Sequence, residues 1–250
     1  MKAVTKYFMV VQIILSVFVT LLWLLGMTTF DVGAAPPTIH ADFNGDGFDD
    51  LAVGVPFEDI GVISDAGAVN VLYGSSTIGL SSIGDQFWHQ DSPGILDRSE
   101  TDDNFGYSLA AGDFNGDGFD DLAVGVRNED IGTIGDAGAV NVLYGSATGL
   151  SSAGNQFWHQ DRPGILDRAE AFDGFGWALV AGDFNNDGFD DLAVGVIGED
   201  IGNITNAGAV NVLYGSATGL SSTGNQFLNQ NSPGILDTAE SGDNFGSALK

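Results

Sequence analysis

The sequence predicts an all-β fold assembled from three repeats, and two observations lead to that prediction. An acidic motif of nine residues recurs at nearly equal spacings, at residues 42–50, 113–121 and 183–191. Glycine accounts for 37 of the 250 residues, while lysine is absent between Lys6 and Lys250. Abundant glycine suits short strands joined by tight turns better than helices, and a fixed repeat outweighs local propensity in deciding a fold.

Each repeat contains four candidate strands, which predicts the blades of a β-propeller. In the second repeat these strands are residues 105–111, 122–126, 139–144 and 156–160. Each is a short run rich in β-branched or aromatic residues and bounded by Gly, Asp, Asn or Pro. Four antiparallel strands per repeat of this length are typical of propeller blades.

The number of repeats predicts an incomplete propeller. The repeat region covers residues 35–250, with units at residues 38–112, 113–182 and 183–250. Residues 245–250 resemble a first strand that no acidic motif follows. Propellers usually close with about four to eight blades, so three repeats predict a piece of a longer product. Self-association that completes a ring and an open array are the alternatives.

The N-terminal residues 1–34 predict export. A basic start with Lys2 and Lys6 precedes a mostly apolar run at residues 7–27 and small residues at 32–35. This order predicts a secretory signal peptide cleaved after Ala34. The apolar run is also long enough to span a bilayer, so an uncleaved membrane anchor is the alternative. In either case we expect a secreted or cell-surface protein.

The charge balance restricts the classes of partner. The chain has 34 acidic and 7 basic residues, a net charge of −27, and no cysteine. Nucleic acids and anionic membrane surfaces are therefore poor partners, whereas cations are good ones. Without disulfides, bound calcium is a candidate for cross-linking the fold.

The acidic motif predicts a calcium loop in every repeat. Oxygen-bearing side chains stand at its positions 1, 3, 5 and 9, with glycine at position 6, as Ca²⁺ loops require. They are Asp42, Asn44, Asp46 and Asp50; Asp113, Asn115, Asp117 and Asp121; and Asp183, Asn185, Asp187 and Asp191. An EF-hand is disfavoured because position 12, which needs a carboxylate, is valine, and because the flanking residues resemble strands and not helices. Ordinary turn formation by Asp, Asn and Gly is the other alternative.

The repeats resemble FG-GAP repeats, which form the N-terminal propeller of integrin α subunits and occur in many bacterial surface proteins. Phe-Gly pairs stand at residues 105–106, 175–176 and 245–246, and the resemblance covers about residues 38–250. It implies that the backbone carbonyls of Phe48, Phe119 and Phe189 complete the ligand sets of about three structural Ca²⁺ ions. The aspartates at position 8, Asp49, Asp120 and Asp190, are expected to face solvent without binding the ion.

No motif predicts catalysis. The lysine-free region excludes a P-loop and a catalytic lysine, and a glycosidase would need one special carboxylate pair rather than three equal sets. The sequence and the resemblance together predict a non-enzymatic, calcium-binding scaffold for adhesion or ligand binding, with an extracellular protein or glycan as its partner. The alternatives are the non-catalytic portion of a secreted hydrolase and a purely structural cell-surface repeat.

Overall fold

The computed structural model describes residues 38–250, which form three four-stranded antiparallel sheets and contain no helix. The first sheet comprises β1 (Thr38–Ala41), β2 (Asp50–Val55), β3 (Ala68–Tyr73) and β4 (Ser81–Trp88). The second comprises β5 (Phe105–Gly112), β6 (Asp121–Val126), β7 (Ala139–Tyr144) and β8 (Ser151–Trp158). The third comprises β9 (Phe175–Gly182), β10 (Asp191–Val196), β11 (Ala209–Tyr214) and β12 (Ser221–Leu228).

Strands that are consecutive in the chain are also neighbours in each sheet. The all-β prediction and the prediction of four antiparallel strands per repeat are therefore confirmed. The predicted signal or anchor segment, with its cleavage after Ala34, lies outside the described residues. In residues 38–250 there is no helix with the length and apolar character needed to cross a membrane.

The hydrophobic core lies between adjacent sheets, in contacts that we call seams. In the first seam Phe43, Ala52 and Val71 of the first repeat pack with Leu122 and Leu143 of the second. A second cluster joins the second and third repeats in the same way. All six residues of β6 are buried because the first and third sheets cover its two sides, and all six of β10 are buried between the second sheet and the C-terminal residues Phe245 and Leu249. Each seam thus supplies the apolar burial that a single sheet lacks.

The Phe-Gly pair docks the first strand of one sheet on the third strand of the preceding sheet. Phe105 is fully buried, and its backbone N–H donates to the Ala66 carbonyl at 2.8 Å. Gly106 has φ of +86°, and a Cβ there would lie 2.6 Å from the Ala68 carbonyl oxygen. Only glycine allows both this left-handed backbone and this close approach.

Two predicted strands differ from the structure. The fourth strand of the second sheet begins at Ser151 and ends at Trp158, because its pairing with β7 runs from Tyr144 opposite Ser151 to Val140 opposite Trp158. Residues 245–250, which the sequence suggested as a first strand, are turn and irregular backbone. Among the described residues they have no second strand to pair with, and an unpaired strand is not stable.

Candidate functional site

The three acidic loops lie at the same end of their sheets, each between the first and second strand. Glycine at position 6 adopts a left-handed backbone in every loop, with φ of +84° at Gly47, +89° at Gly118 and +91° at Gly188. This turn brings the two limbs of the loop together, as the sequence predicted for a cation-binding loop.

Side chains at positions 1 and 3 converge on one backbone amide. In the first loop Asp46 N–H donates to Asp42 Oδ1 at 3.0 Å and to Asn44 Oδ1 at 2.9 Å. Gly47 N–H donates to Asp42 Oδ2 at 2.8 Å. Position 5 joins the same turn, because Asp46 Oδ1 accepts from Phe48 N–H at 3.0 Å. The loop therefore holds its first three side-chain oxygen donors on one tight turn.

The aspartate at position 9 ties the loop to the rest of the sheet. Asp50 is 0% exposed and accepts from Phe43 N–H at 2.9 Å and from Gly74 N–H at 2.8 Å. Asp121 and Asp191 are equally buried and make the equivalent pairs of bonds. One carboxylate thus joins the start of the loop to the end of the third strand.

Burial raises the pKa values of these position-9 carboxylates. Desolvation raises the pKa of Asp121 to about 8; the charges of Asp117 and Asp113 act in the same direction, and its two backbone hydrogen bonds oppose the shift. Burial likewise raises the pKa of Asp50 and of Asp191. Several carboxylates around one point repel each other, and a bound cation would relieve that repulsion.

The donor set fits a hard cation. Each loop offers carboxylate and amide oxygens and a backbone carbonyl, the ligand types of Ca²⁺. Within residues 38–250, however, acidic and histidine side chains do not gather in groups of three at metal-ligating distance. The hydrogen bonds described above explain why the loop carboxylates do not converge on one point, because their oxygens are turned toward backbone amides. Some of these oxygens accept two such bonds, as Asp113 Oδ1 does from Gly116 N–H and Asp117 N–H, so a bound ion would have to replace hydrogen bonds within the loop.

Adjacent loops bond to each other through the aspartate at position 8. Asp120 Oδ2 accepts from Asp42 N–H at 2.8 Å, and Asp190 Oδ2 accepts from Asp113 N–H at 3.0 Å. The expectation that position 8 faces solvent is therefore wrong for Asp120 and Asp190, while Asp49 is exposed. The sequence reasoning missed these bonds because they connect residues of different repeats, 78 and 77 positions apart in the chain.

A second candidate site lies at the opposite end of the sheets and is not repeated. The Arg127 guanidinium lies 4.0 Å from the ring centroid of Tyr107 and 5.1 Å from that of Trp177. Its Nε–H donates to Asn104 Oδ1 at 3.0 Å. The equivalents of Arg127 in the other repeats are proline and isoleucine. Aligning the repeats could have found this site, since only the middle one has a charge there.

Phe172 borders the same site in a strained conformation. It is 70% exposed and has φ of +71°, a backbone that large L-residues rarely adopt. The equivalent residues are Asp102 and Gly242, which suit positive φ better. A cavity of about 270 Å³ lies between Phe172, Arg127 and Trp177. Exposed, strained aromatic residues of this kind often mark binding sites.

Comparison with known families identifies the repeats. The model of the FG-GAP repeat matches residues 40–72, 105–143 and 175–213. The three matches cover the first three strands of each sheet and each acidic loop. The chain therefore contains three FG-GAP repeats, as the sequence indicated.

Two kinds of longer protein are similar to this chain. Phosphatidylinositol-glycan-specific phospholipase D of Rattus norvegicus is 36% identical over 155 residues, which cover 62% of this chain and 17% of that protein. Integrin alpha-3 of Cricetulus griseus is 31% identical over 180 residues, or 69% of this chain and 15% of that protein. Integrin alpha-8 of Gallus gallus is 30% identical over 214 residues, or 79% and 18%. The chain thus spans less than a fifth of the length of these relatives.

Proposed function

We propose that this chain, which carries three FG-GAP repeats, is an exported, calcium-stabilised propeller segment that serves as a binding scaffold. One observation carries the proposal: the same oxygen-rich loop is built three times, at the same place in each sheet. Repetition is expected of a structural clamp, whereas a catalytic centre would normally occur once. The ions would be bound at positions 1, 3, 5, 7 and 9 of each loop.

Calcium would stabilise the scaffold by neutralising repulsion between loop carboxylates. The loops are linked through Asp120 and Asp190, so an ion in one loop would also restrain the loop beside it. No step of the proposal is catalytic. The N-terminal residues 1–34 support export, and extracellular calcium is usually abundant enough to fill weak sites.

The partner surface would lie at the other end of the sheets, around Arg127. Its guanidinium lies over the Tyr107 ring and close to the Trp177 ring, and Phe172 offers exposed apolar area beside it. Aromatic residues and arginine are the types that dominate binding energy in protein interfaces. We infer an extracellular protein or glycan as the partner, and the net charge of −27 argues against nucleic acid.

A second candidate function follows from the similarity to phospholipase D proteins. This chain matches only 17% of the Rattus norvegicus protein, so the matched region could be the non-catalytic portion of a longer secreted hydrolase. The mass of the native product separates the two candidates. A product that carries a further catalytic domain supports the second, and one with additional blades alone supports the scaffold.

Calcium binding is tested by a matched pair of substitutions in one loop. Asp46→Asn removes the negative charge of a proposed ligand, whereas Asp49→Asn removes the same charge from the exposed position 8. In calorimetric titration with Ca²⁺, we expect Asp46→Asn to weaken one of about three sites at least tenfold and Asp49→Asn to leave all of them nearly unchanged. Equal weakening by both variants would mean that net charge alone attracts calcium.

A further inference from the structure

Each seam between adjacent sheets buries a glutamate among other oxygen atoms. In the first seam Glu129 is 1% exposed, Asp103 2% and Gln90 1%. Gln90 Nε2–H donates to Glu129 Oε2 across the seam. The second seam repeats the arrangement with Glu199, Asp173 and Gln160, and there the Gln160–Glu199 bond measures 2.6 Å. Neither cluster belongs to the acidic loops.

The charges around these glutamates are all negative. Within residues 38–250, the acidic groups that act most strongly on Glu129 are Asp103, whose own pKa burial raises to about 7, and Asp97, which also lies within hydrogen-bonding reach of it. Asp103 in turn faces Glu100, Asp97 and Asp130. In the second seam the corresponding groups are Asp173, Asp167, Glu170 and Asp200. A buried carboxylate without a cation is strongly disfavoured.

One hydrogen donor is missing from each cluster. Gln90 Oε1 and Gln160 Oε1 are buried and have no hydrogen-bond partner among the described residues. Each belongs to the amide that contacts the glutamate, so an unsatisfied acceptor stands next to a surplus of carboxylate oxygens. The oxygen and nitrogen of a glutamine amide exchange places by rotation. A proton on the glutamate would add one hydrogen donor to a cluster in which acceptor oxygens are in excess.

We propose that each closed seam is a proton-binding site, in which the glutamate is a neutral carboxylic acid at neutral pH. Glu129 and Glu199 take up one proton each from solvent as the sheets dock. The new O–H bond donates to the glutamine carbonyl or to the neighbouring aspartate, Asp97 or Asp167. No other bond forms or breaks. Blade docking is thereby coupled to proton uptake.

The electrostatics of the seam set the sign of its pH dependence. Burial, followed by the charges of the two aspartates, raises the pKa of Glu129 to about 10 and that of Glu199 to about 9, against an ordinary value of 4.5. The folded seam keeps its proton at a pH where the unfolded chain has lost it. The stability that these two glutamates contribute is therefore fully present below about pH 4.5, and it is lost as the pH rises through the folded pKa.

The first repeat supplies a matched control. Glu58 occupies the position of Glu129 and Glu199, but it is exposed and lies in no closed seam among the described residues. Glutamine has the shape of a protonated glutamate without its proton. The substitutions Glu129→Gln and Glu199→Gln therefore mimic the proposed state, and Glu58→Gln makes the same chemical change outside a seam.

Thermal and denaturant unfolding of the whole chain from pH 5 to 9, in saturating calcium, tests the proposal. For the unsubstituted chain we expect the unfolding equilibrium constant to rise by up to about tenfold per pH unit for each seam glutamate. Burial also raises the pKa of Asp103 and of Asp173 to about 7, so these aspartates contribute to the dependence in the lower part of the range. The double variant Glu129→Gln/Glu199→Gln should lose most of the dependence above about pH 8, and Glu58→Gln should retain it. A flat pH profile of the unsubstituted chain, or an unchanged slope in the double variant, would overturn the proposal.

Infrared spectroscopy of the unsubstituted chain tests the same proposal if the variants fold poorly. Protonated carboxyl groups have an infrared C=O band distinct from the carboxylate bands. In the calcium-saturated chain at pH 7 that band should be present, and the folded double variant should show less of it. If it is absent, or if Glu129→Gln instead removes one bound Ca²⁺ that Glu58→Gln leaves in place, the seam holds ionised glutamate and a metal cation, and the proton proposal is wrong.

Discussion

Position 4 of the acidic loop shows how one residue can satisfy two constraints. Gly45 and Gly116 have φ of +69° and +72°, and a Cβ on either would lie 2.6 Å from the ring of Phe119 or Phe189 in the next loop. Asn186 has the same backbone, with φ of +61°, but among the described residues no following loop packs on it. Asparagine tolerates the left-handed backbone, so the third loop does not need glycine at position 4.

This difference gives a residue-scale prediction. Gly116→Asn keeps a residue that accepts positive φ but forces its Cβ into the Phe189 ring. We expect a loss of about 1–3 kcal/mol in the free energy of unfolding, as for other overpacked contacts. Asn186→Gly should change stability by less than about 1 kcal/mol. Urea unfolding of both variants measures this, and equal effects would mean that the loop-to-loop packing contributes little.

At the scale of the elements, one end of the sheets has the same acidic loop in every repeat, and the other end has a cluster that occurs once among the described residues. The end with the acidic loops is nearly identical in all three repeats, whereas the other end contains the single cluster of Tyr107, Arg127 and Trp177. Repeated features suit a common structural role. The feature that departs from the repeat is the better candidate for specific recognition.

Arg127→Gln tests the recognition surface, with Arg98→Gln as its control because Arg98 is an exposed arginine outside the cluster. Loss of the stacked guanidinium should weaken binding to an extracellular partner by about tenfold or more, the effect of removing an interface hot spot. Binding of the calcium-loaded chain to immobilised glycans and to cell surfaces is the measurement. Binding that Arg127→Gln leaves intact would move the partner surface elsewhere.

The strands and loops that depend on the local spacing of residue types could be predicted from the sequence. The loops and the middle strands follow from the spacing of Asp, Gly and β-branched residues, and the left-handed glycine at position 6 follows from the turn. The hydrogen bond that Asp42 N–H donates to Asp120 and the burial of Glu129 could not be foreseen in this way. They join residues in different repeats, and only the docking of one sheet on the next brings them together.

At the scale of the molecule, we expect the seams to contribute much of the stability. The apolar clusters lie between sheets, so each sheet depends on its neighbour for burial. Bonds between adjacent loops fasten one edge of every seam, and the buried glutamate lies within it. Calcium bound in the loops and protons bound in the seams would therefore both stabilise the contacts between adjacent sheets.

The most direct test of the calcium-stabilised scaffold is the melting temperature of the chain with calcium and with a chelator. Binding at 100 times the dissociation constant contributes about 2.7 kcal/mol for each site, so three filled loops should raise the melting temperature by many degrees. The increase should be smaller in Asp46→Asn than in Asp49→Asn. A melting temperature that is the same in calcium and in chelator would contradict the account.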